Sequence, residues 1–529
     1  LKPVMEYSRI VNTAYGKVRG RRLLFEGGRA VDAFQGIPFA QSPVGELRFK
    51  KPLPPLPWEG IRDTTAFGPH SIQSDLNIGD WQTGPTSEDC LILNVFAPAW
   101  EPPVAGFAVL VWVHGGAFVM DGPRRAGDRG ICESMCMKDV VVVSIQYRLG
   151  YLGFWTTGDA SCPDNLGLWD QTEALKWVQK NIGAFGGNKD NVTVLGQSAG
   201  GCSVDFLHLS PHATGLFHKV IPMAGNAHAA WAHRPNMVGV CEKRARKMGL
   251  EWSSTEELMR KLRELPAEDF NVDVFQLDLD DGHEITEVTP VLHSEFLPGS
   301  VSELRTRAKP KPVITGITQH ESILMTIDRS LFTHEGLVKY VDTWLKGASA
   351  EEKMAFIKRF IDLEKTSDFD SVVKAMIGIH SENFANAPTL ALVRDHLRAC
   401  PDQPLFLYVF RYVNLACYNM LPPMAMKGAT HACELSYLFG KGALGDFDFT
   451  DNDRKMLEMF STAFTNFAKC GNPNGDDGKS LPLRWDPVDK AHVERHYVFD
   501  LKPEEQDVLF DGHSAAFLEV LSRCQKGNL

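Results

Sequence analysis

The sequence lacks several features that would point to other classes of protein. It has no run of about 20 apolar residues, the length that a membrane-spanning helix needs, and its most apolar runs, Phe107–Val113 and Val140–Ile145, have the length of strands. None of its 11 cysteines forms a CxxC pair, so zinc-ribbon and thioredoxin-like folds have no support. With 44% hydrophobic and 23% charged residues, the composition is that of a globular protein.

An excess of positive charge is absent too. The 55 basic and 66 acidic residues give a net charge of −11, which argues against nucleic acid or an anionic membrane surface as a partner. The first residues, Leu1–Glu6, do not have the basic and apolar parts of a signal peptide. An N-terminal targeting or lipid-modified segment that has been removed stays an open alternative.

Strand-like and helix-like patterns alternate along the chain. Continuous apolar runs predict buried strands at Phe107–Val113, Val140–Tyr147, Val192–Leu195, Lys219–Met223, Pro312–Gly316 and Leu405–Phe410. Helical spacing predicts helices over Asp170–Gly187 and Asn452–Lys469. The alternation predicts an α/β fold with a mostly parallel, doubly wound sheet. We expect one domain, residues 1–529, in which helical insertions at roughly 230–400 form a cap beside the carboxyl edge of the sheet.

The most informative motif is Gly196-Gln197-Ser198-Ala199-Gly200. It follows the predicted strand directly and precedes the apolar segment Cys202–Leu209, which is the strand–turn–helix setting of a nucleophile elbow. The glycines at both ends let backbone pass close to a strained serine, and the turn aims a helix N-terminus at the hydroxyl group. Ser198 is therefore the candidate nucleophile, with a structural serine in a Gly-rich turn as the alternative.

A second segment of small residues, His114–Phe118, follows the predicted strand that ends at Val113. Such a loop can turn backbone N–H groups toward the negative charge that develops on a carbonyl oxygen during acyl transfer. It acts together with the N–H group of the residue after the nucleophile, here Ala199. The segment is therefore a candidate oxyanion hole, to which Ala117 can still supply an N–H group. The alternative is a simple glycine turn.

A serine nucleophile needs a base, and the base needs a carboxylate to orient it. With 17 histidines and 66 acidic residues, spacing alone cannot choose the pair. Where a nucleophile elbow occurs, the chain order is serine, acid, histidine, and Glu321 meets the condition of closely following a predicted strand. His431 is the candidate base because small residues precede it and an apolar run follows it. Histidines without that setting are His208, His293, His380 and His513.

With these motifs on nearly its whole length, the chain resembles the type-B carboxylesterase and cholinesterase-like family of α/β-hydrolases, and in particular the invertebrate gut-type carboxylesterases. Further matching blocks are Ala33–Ala40, Pro43–Phe49, Ser87–Val95, Tyr147–Gly150 and Asn165–Gln171. The resemblance implies the catalytic triad Ser198, Glu321 and His431. It also implies an oxyanion hole, an acyl-pocket residue and two ion pairs: the N–H groups of Gly116, Ala117 and Ala199, then Trp231, then Arg48–Glu88 and Arg148–Asp170.

The chain departs from the family pattern at three places. Gln197 stands where most members have glutamate, which removes a negative charge beside the nucleophile. Ser322 replaces the glycine that usually follows the triad glutamate. The disulfides of secreted members are missing, since Cys90 matches half of the first one but residues 1–89 hold no cysteine. Free thiols suit a reducing compartment, so we expect an intracellular enzyme, either cytoplasmic or peripherally attached to a membrane.

These observations predict a serine carboxylic-ester hydrolase that acts on a small-molecule ester through an acyl-enzyme intermediate, with no metal or organic cofactor. Two alternatives stay open. An acyltransferase would use the same triad to form ester-linked small metabolites, because the sequence does not show whether water or an alcohol reaches the acyl-enzyme. An inactive, cholinesterase-like binding or adhesion protein is disfavoured because all three triad positions are intact. The sequence does not indicate the oligomeric state.

Overall fold

The structure, a computed structural model, describes residues 5–74, 84–272, 287–324, 332–363, 365, 368–419 and 426–526. The strands in these ranges are β1 (Tyr7–Asn12), β2 (Lys17–Leu24), β3 (Ala30–Pro38), β4 (Ile61–Asp63), β5 (Ile92–Pro98), β6 (Phe107–Val113), β7 (Val140–Ile145), β8 (Gly187–Gln197), β9 (Lys219–Met223), β10 (Val313–Thr318), β11 (Leu405–Phe410), β12 (His496–Phe499) and β13 (Glu504–Gln506). They form one sheet in the spatial order β1-β2-β3-β5-β7-β6-β8-β9-β10-β11-β12-β13, with β4 beside β2.

The middle of the sheet, from β7 through β6, β8, β9, β10 and β11 to β12, is parallel. The flanking strands β1, β2, β3, β5 and β13 pair antiparallel with their neighbours in the spatial order. Every residue of β6, β7, β9, β10 and β11 is buried, as expected for strands covered by helices on both faces. The predicted α/β fold with a mostly parallel sheet is confirmed.

The described helices are α1 (Pro123–Ala126), α2 (Arg129–Ser134), α3 (Gly150–Phe154), α4 (Leu166–Asn181), α5 (Ala199–Leu209), α6 (Met237–Lys247), α7 (Thr255–Glu264), α8 (Val301–Arg307), α9 (His334–Trp344), α10 (Ala350–Ile357), α11 (Phe369–Ser381), α12 (Ala387–Ala399), α13 (Ser436–Phe439), α14 (Asp451–Cys470) and α15 (His513–Lys526). A π-helical turn, Glu382–Asn386, joins α11 to α12. None of the helices in the described ranges has the length and apolar character that a membrane crossing requires.

Local patterns located most elements, with bounds that differ for some of them. The predicted helix Asn452–Lys469 is one residue short of α14 at each end, and the predicted strand Val192–Leu195 covers only part of β8. The predicted strands Val140–Tyr147 and Pro312–Gly316 differ from β7 and β10 by one or two residues at an end. The predicted strands Phe107–Val113, Lys219–Met223 and Leu405–Phe410 match β6, β9 and β11 residue for residue.

The predicted helix Asp170–Gly187 begins four residues late and ends six residues late, because α4 starts at Leu166 and ends at Asn181. Since α4 is buried on almost every side, the spacing of its apolar residues does not mark its first turn.

The mostly helical segment at 230–400 carries α6 to α12, but it also supplies strand β10 to the sheet. Both ion pairs that the family resemblance implies are present. Arg148 donates to the two carboxylate oxygens of Asp170 at 2.8 and 2.7 Å, and both side chains are buried. Arg48 donates to both oxygens of Glu88 at 2.7 and 2.5 Å. Bidentate pairs of this kind fix the orientation of the segments that they join.

Candidate active site

Ser198 lies at the turn between β8 and α5. Its backbone has φ 61° and ψ −128°, a conformation that costs energy for any residue with a side chain and persists only where the surroundings hold it. The Ser198 N–H donates to the carbonyl oxygen of Met223 on β9 at 2.8 Å, and the Ser198 carbonyl accepts the N–H of Cys202 at 2.9 Å. The motif at 196–200 therefore has the backbone of a strand–turn–helix elbow.

The absence of a side chain at Gly200 brings this elbow against the end of β6. A Cβ atom on Gly200 would lie 2.2 Å from the carbonyl oxygen of Val113 and 2.8 Å from that of His114. These are backbone atoms, which cannot swing aside as a flexible side chain can. Only glycine therefore lets the first turn of α5 and the segment of small residues after β6 pack this closely.

The loop after β6 turns at three successive residues with positive φ: 97° at Gly116, 54° at Ala117 and 63° at Phe118. The carbonyl oxygen of Gly116 accepts hydrogen bonds from the next turn of the loop. Across the described residues, no hydrogen bond uses the backbone N–H groups of Gly116, Ala117 or Ala199. A Cβ atom on Gly115 would lie 3.2 Å from the Cβ of Ser198. The loop that carries two of these donors is therefore next to the candidate nucleophile, and the third donor belongs to the residue that follows it, which is the placement that an oxyanion hole requires.

His114 is buried behind this loop and supports it. Its ring stacks on Tyr147 with centroids 4.4 Å apart, and its Nδ1 lies 2.9 Å from the carbonyl oxygen of Gly115. Burial lowers the pKa of His114 to about 4, so the imidazole is neutral near pH 7 and its Nδ1–H donates to that carbonyl. The hydroxyl of Tyr147 donates to the His114 carbonyl at 2.9 Å, so both contacts fix the loop backbone.

Glu321 and His431 are in direct contact. Oε2 of Glu321 lies 2.6 Å from Nδ1 of His431, and Oε1 accepts the backbone N–H of Thr318 at 2.5 Å. The Glu321 side chain is fully buried and that of His431 is 8% exposed. Because the carboxylate occupies Nδ1, the nitrogen left for a substrate-side partner is Nε2. The structure thus brings together the acid and the base that were predicted from the sequence.

Gln197, a residue of the elbow, contacts the same histidine. The amide nitrogen of Gln197 lies 3.2 Å from Nε2 and 3.3 Å from Nδ1 of His431. Gln197 directly precedes Ser198, so these distances place the candidate nucleophile and the candidate base at one site. Ser198 itself is partly exposed, as a group that must meet a substrate has to be.

A second carboxyl group, Glu434, lies buried near this pair and was not found from the sequence. Neither of its carboxyl oxygens has a hydrogen-bond partner within the described ranges. Burial, and then the neighbouring Glu321 carboxylate, raise the pKa of Glu434 well above its usual range, which favours the protonated form of this carboxyl group. Its place three residues after His431 was visible in the sequence, but the burial of its side chain was not.

An aromatic wall, formed by Phe384 and Trp231, lies against His431. Phe384 is in the π-helical turn and meets the His431 ring edge to face, with centroids 4.9 Å apart and planes at 78°. Trp231 stacks on Phe384 at 5.3 Å, and its indole N–H donates to the Phe384 carbonyl at 2.8 Å. Trp231, which the family resemblance assigns to the acyl pocket, is thus separated from the base only by the ring of Phe384. Phe384 was missed because no local motif marks it.

Ser322, the residue that departs from the family pattern, has partners at the end of α11. Its Oγ lies 2.7 Å from Nδ1 of His380, and its backbone N–H donates to Oγ of Ser381 at 3.2 Å. The π-helical turn that carries Phe384 begins directly after Ser381. The loop of Glu321 is therefore attached to the aromatic wall by hydrogen bonds. His380, which we did not select as a base, belongs to this attachment.

Two further features bear on the chemistry of the described residues. All ten cysteines whose side chains are described are unpaired, and only Cys470 is exposed. No group of three or more histidine, cysteine, aspartate or glutamate side chains in the described ranges is arranged to hold a metal ion.

Comparison with known proteins agrees with this geometry. A sequence model of the "Carboxylesterase family" matches residues 7–517. The chain is 35% identical to "Esterase cest-33" of Caenorhabditis elegans over 93% of this chain and 90% of that protein. It is 30% identical to "Gut esterase 1" of Caenorhabditis briggsae, over 90% and 86% of the two chains. It is 32% identical to "Acylcarnitine hydrolase" of Rattus norvegicus, over 94% and 88%.

The chain therefore belongs to the carboxylesterase family, and its fold is that of the α/β-hydrolases. It is a carboxylic ester hydrolase, as are the relatives whose names state an activity. The resemblance to this family that the sequence motifs indicated, including the likeness to invertebrate gut esterases, is confirmed.

Proposed function

We propose that this protein is a serine esterase that hydrolyses small carboxylic esters through an acyl-enzyme intermediate on Ser198. The observation that carries the proposal is the 2.6 Å contact of Glu321 with Nδ1 of His431, together with the contact of the elbow residue Gln197 with the same ring. A serine beside a histidine that is held by a carboxylate forms the unit that activates a hydroxyl group for acyl transfer.

In the proposed reaction, Nε2 of His431 takes the proton of Ser198 while Oγ attacks the ester carbonyl. Glu321 holds the imidazole in the required tautomer and stabilises the imidazolium that forms. The N–H groups of Gly116, Ala117 and Ala199 donate hydrogen bonds to the developing oxyanion, and each such donor is worth about 3–4 kcal/mol of transition-state stabilisation. His431 then gives its proton to the leaving alcohol. Water, activated in the same way, releases the acid and restores Ser198.

The aromatic wall beside His431 favours substrates whose acyl group is apolar, because that group would lie next to the base. Trp231 and Phe384 are nearly fully buried and present ring surface next to His431, where an apolar chain gains free energy by leaving water. One relative is named for hydrolysis of acylcarnitines, which are esters with an acyl chain. We also propose that the enzyme is intracellular, in the cytoplasm or on a membrane surface, because its described cysteines form no disulfide.

The test is hydrolysis of p-nitrophenyl esters from acetyl to decanoyl by the wild type, Ser198→Ala and the control Ser302→Ala, whose serine is exposed on α8. We expect a burst of p-nitrophenol and steady turnover in the wild type and in the control, and neither in Ser198→Ala. The length of the acyl chain that gives the highest kcat/KM then indicates the size of the acyl pocket. A burst followed by turnover only after an alcohol is added would identify an acyltransferase instead. Equal rates in the wild type and Ser198→Ala would contradict the proposal.

A further inference from the structure

Four prolines lie within one surface segment of six residues, 52–57, whose sequence is Pro-Leu-Pro-Pro-Leu-Pro. Proline fixes φ near −65° and holds the residue before it in an extended conformation, so this spacing favours a polyproline II (PPII) helix. The structure has neither helix nor strand at 51–59 and no positive φ in that stretch, and the described residues include no cis peptide bond. The segment is therefore a PPII helix of about two turns.

The exposure of this PPII helix repeats every three residues, which is the period of PPII. One edge faces the protein and carries Pro52, Pro55 and Trp58, of which Pro55 is buried and the other two are half-buried. The other two edges face solvent and carry Leu53, Pro54, Leu56 and Pro57. The exposed fractions of the two leucines are 45% and 69%. Two Leu-Pro pairs, one turn apart, are therefore presented to solvent.

Hydrogen bonds to the backbone hold both ends of the PPII helix. The carbonyl oxygen of Leu53 accepts the backbone N–H of Gln41 at 2.9 Å. At the other end, Trp58 donates its backbone N–H to the carbonyl of Tyr15 at 2.8 Å and its indole N–H to the carbonyl of Lys17 at 3.0 Å. Because the conformation is fixed before any partner arrives, little conformational entropy remains to be lost on binding.

A positive charge lies at the start of the PPII helix. Lys51 precedes Pro54 by three residues and so continues the edge of Pro54 and Pro57. Its Nζ lies 2.6 Å from Oε1 of Glu295 and 4.1 Å from the centre of the Trp169 ring, and the side chains of Lys51 and Glu295 are 35% and 61% exposed. An ion pair this exposed contributes little stability. A carboxylate of a partner can therefore replace Glu295 at small cost.

We propose that residues 51–57 are a docking site for a protein domain of the SH3 type, which binds PPII helices in a groove lined by aromatic side chains. Each exposed Leu-Pro pair fills one of two neighbouring depressions of that groove, and Lys51 pairs with acidic residues at its end. Bracing of the loop accounts for the inward prolines, but it does not account for two leucines that remain exposed. None of these residues belongs to the candidate active site, so this role goes beyond the proposed function.

The experiment measures binding of the full chain to purified SH3 domains that take peptides with a basic residue before PxxP, and to purified WW domains, by biolayer interferometry. Leu56→Ser removes the more exposed leucine, and Lys51→Gln removes the charge. The control Leu24→Ser changes a leucine that is 55% exposed at the end of β2. Melting curves establish that each variant is folded.

We expect at least one of the SH3 domains to bind the wild type and Leu24→Ser equally well. Leu56→Ser should weaken that binding by about tenfold or more, since a few apolar anchors carry most of the binding free energy of an interface. Lys51→Gln should weaken it by about two- to fivefold and make it less sensitive to salt, as expected when one exposed ion pair is lost.

Three results would overturn the inference. The first is that none of the SH3 domains binds the wild type. The second is equal binding by the wild type and Leu56→Ser, which would place the contact elsewhere on the surface. The third is binding by WW domains alone that Lys51→Gln leaves unchanged, which would assign the segment to another kind of partner. Each of these results leaves the Ser198-dependent burst untouched, so failure here differs from failure of the proposed function.

Discussion

The two halves of the candidate site are held in place by different means. On one side, Ser198 and the loop at Gly116 are fixed by backbone: strained turns, hydrogen bonds to β9, and a contact at Gly200 that leaves no room for a Cβ atom. On the other side, Glu321, His431 and the aromatic wall are joined by side-chain contacts between segments far apart in the chain. Gln197, on the elbow side, contacts the ring of His431 on the other side.

This difference indicates how each half should respond to change. Backbone geometry in a close-packed turn cannot adjust to one extra atom, so a small substitution on the elbow side should damage fold and activity together. Side-chain contacts on the acid–base side set charge and orientation, so isosteric substitutions there should change rates or pH dependence while the fold persists. Four predictions test this contrast.

The largest expected effect on the acid–base side comes from Glu321→Gln. The amide keeps the shape of the side chain but cannot stabilise the imidazolium, so we expect kcat/KM to fall by about 10⁴-fold. The amide has one acceptor oxygen where the carboxylate uses two, for the Thr318 N–H and for Nδ1 of His431. We therefore expect the unfolding free energy to fall by only about 1 kcal/mol, against about 5 kcal/mol of lost transition-state stabilisation. Ester hydrolysis and thermal unfolding of the same preparation provide the check. A comparable loss of stability would contradict the contrast.

On the elbow side, Gly200→Ala should reduce both properties. Its Cβ would meet backbone oxygens at 2.2 and 2.8 Å, so we expect a loss of about 1–3 kcal/mol of unfolding free energy and a fall in kcat of about 10²-fold or more, since small displacements in a site of this kind have that effect. Gly183→Ala is the matched control, because a Cβ there meets nothing within 4 Å. Full activity in a destabilised Gly200→Ala would separate elbow geometry from catalysis and contradict this prediction.

Glu382, in the π-helical turn beside Phe384, should make stability depend on pH. Burial raises the pKa of Glu382 from 4.5 to about 7, so between these values the folded chain binds a proton that the unfolded chain has lost. Stability is therefore lost as pH rises from about 4.5 to about 7 and stays reduced above that range.

Glu382→Gln cannot ionise, and we expect it to exceed the wild type in unfolding free energy by about 2–3 kcal/mol at pH 8 and by little at pH 4.5. Urea unfolding at both pH values measures the difference. The control Glu519→Gln, at an exposed position of α15, should show no such trend. A constant difference between wild type and Glu382→Gln at all pH values would contradict the assignment.

The smallest expected effect comes from Ser322→Ala, which breaks the hydrogen bond to His380. We expect about 1 kcal/mol of lost stability, together with a changed preference for acyl chain length because Phe384 follows α11. The ester series described above measures that preference, and Ser302→Ala serves as the control. An unchanged preference would show that Ser322 acts on stability alone.

The same contrast explains how much could be predicted from the sequence. The elbow and the loop after β6 are encoded by consecutive residues, because glycines and strand ends fix backbone locally, and the strands β6, β9 and β11 are continuous apolar runs. Glu321 and His431 could be selected by their setting after a strand and in a loop. Phe384, Glu434 and the pair Ser322–His380 could not, because their roles arise from contacts between distant segments that no local pattern encodes.

The central claim is that Ser198 is a nucleophile activated by His431. The most direct measurement is the rate of covalent labelling by a fluorophosphonate probe, with the modified peptide identified by mass spectrometry, in the wild type, Ser198→Ala and His431→Ala. We predict a single adduct on Ser198 in the wild type, none in Ser198→Ala, and labelling at least about 10³-fold slower in His431→Ala. An adduct on another residue, or equal labelling rates in the wild type and His431→Ala, would contradict the claim.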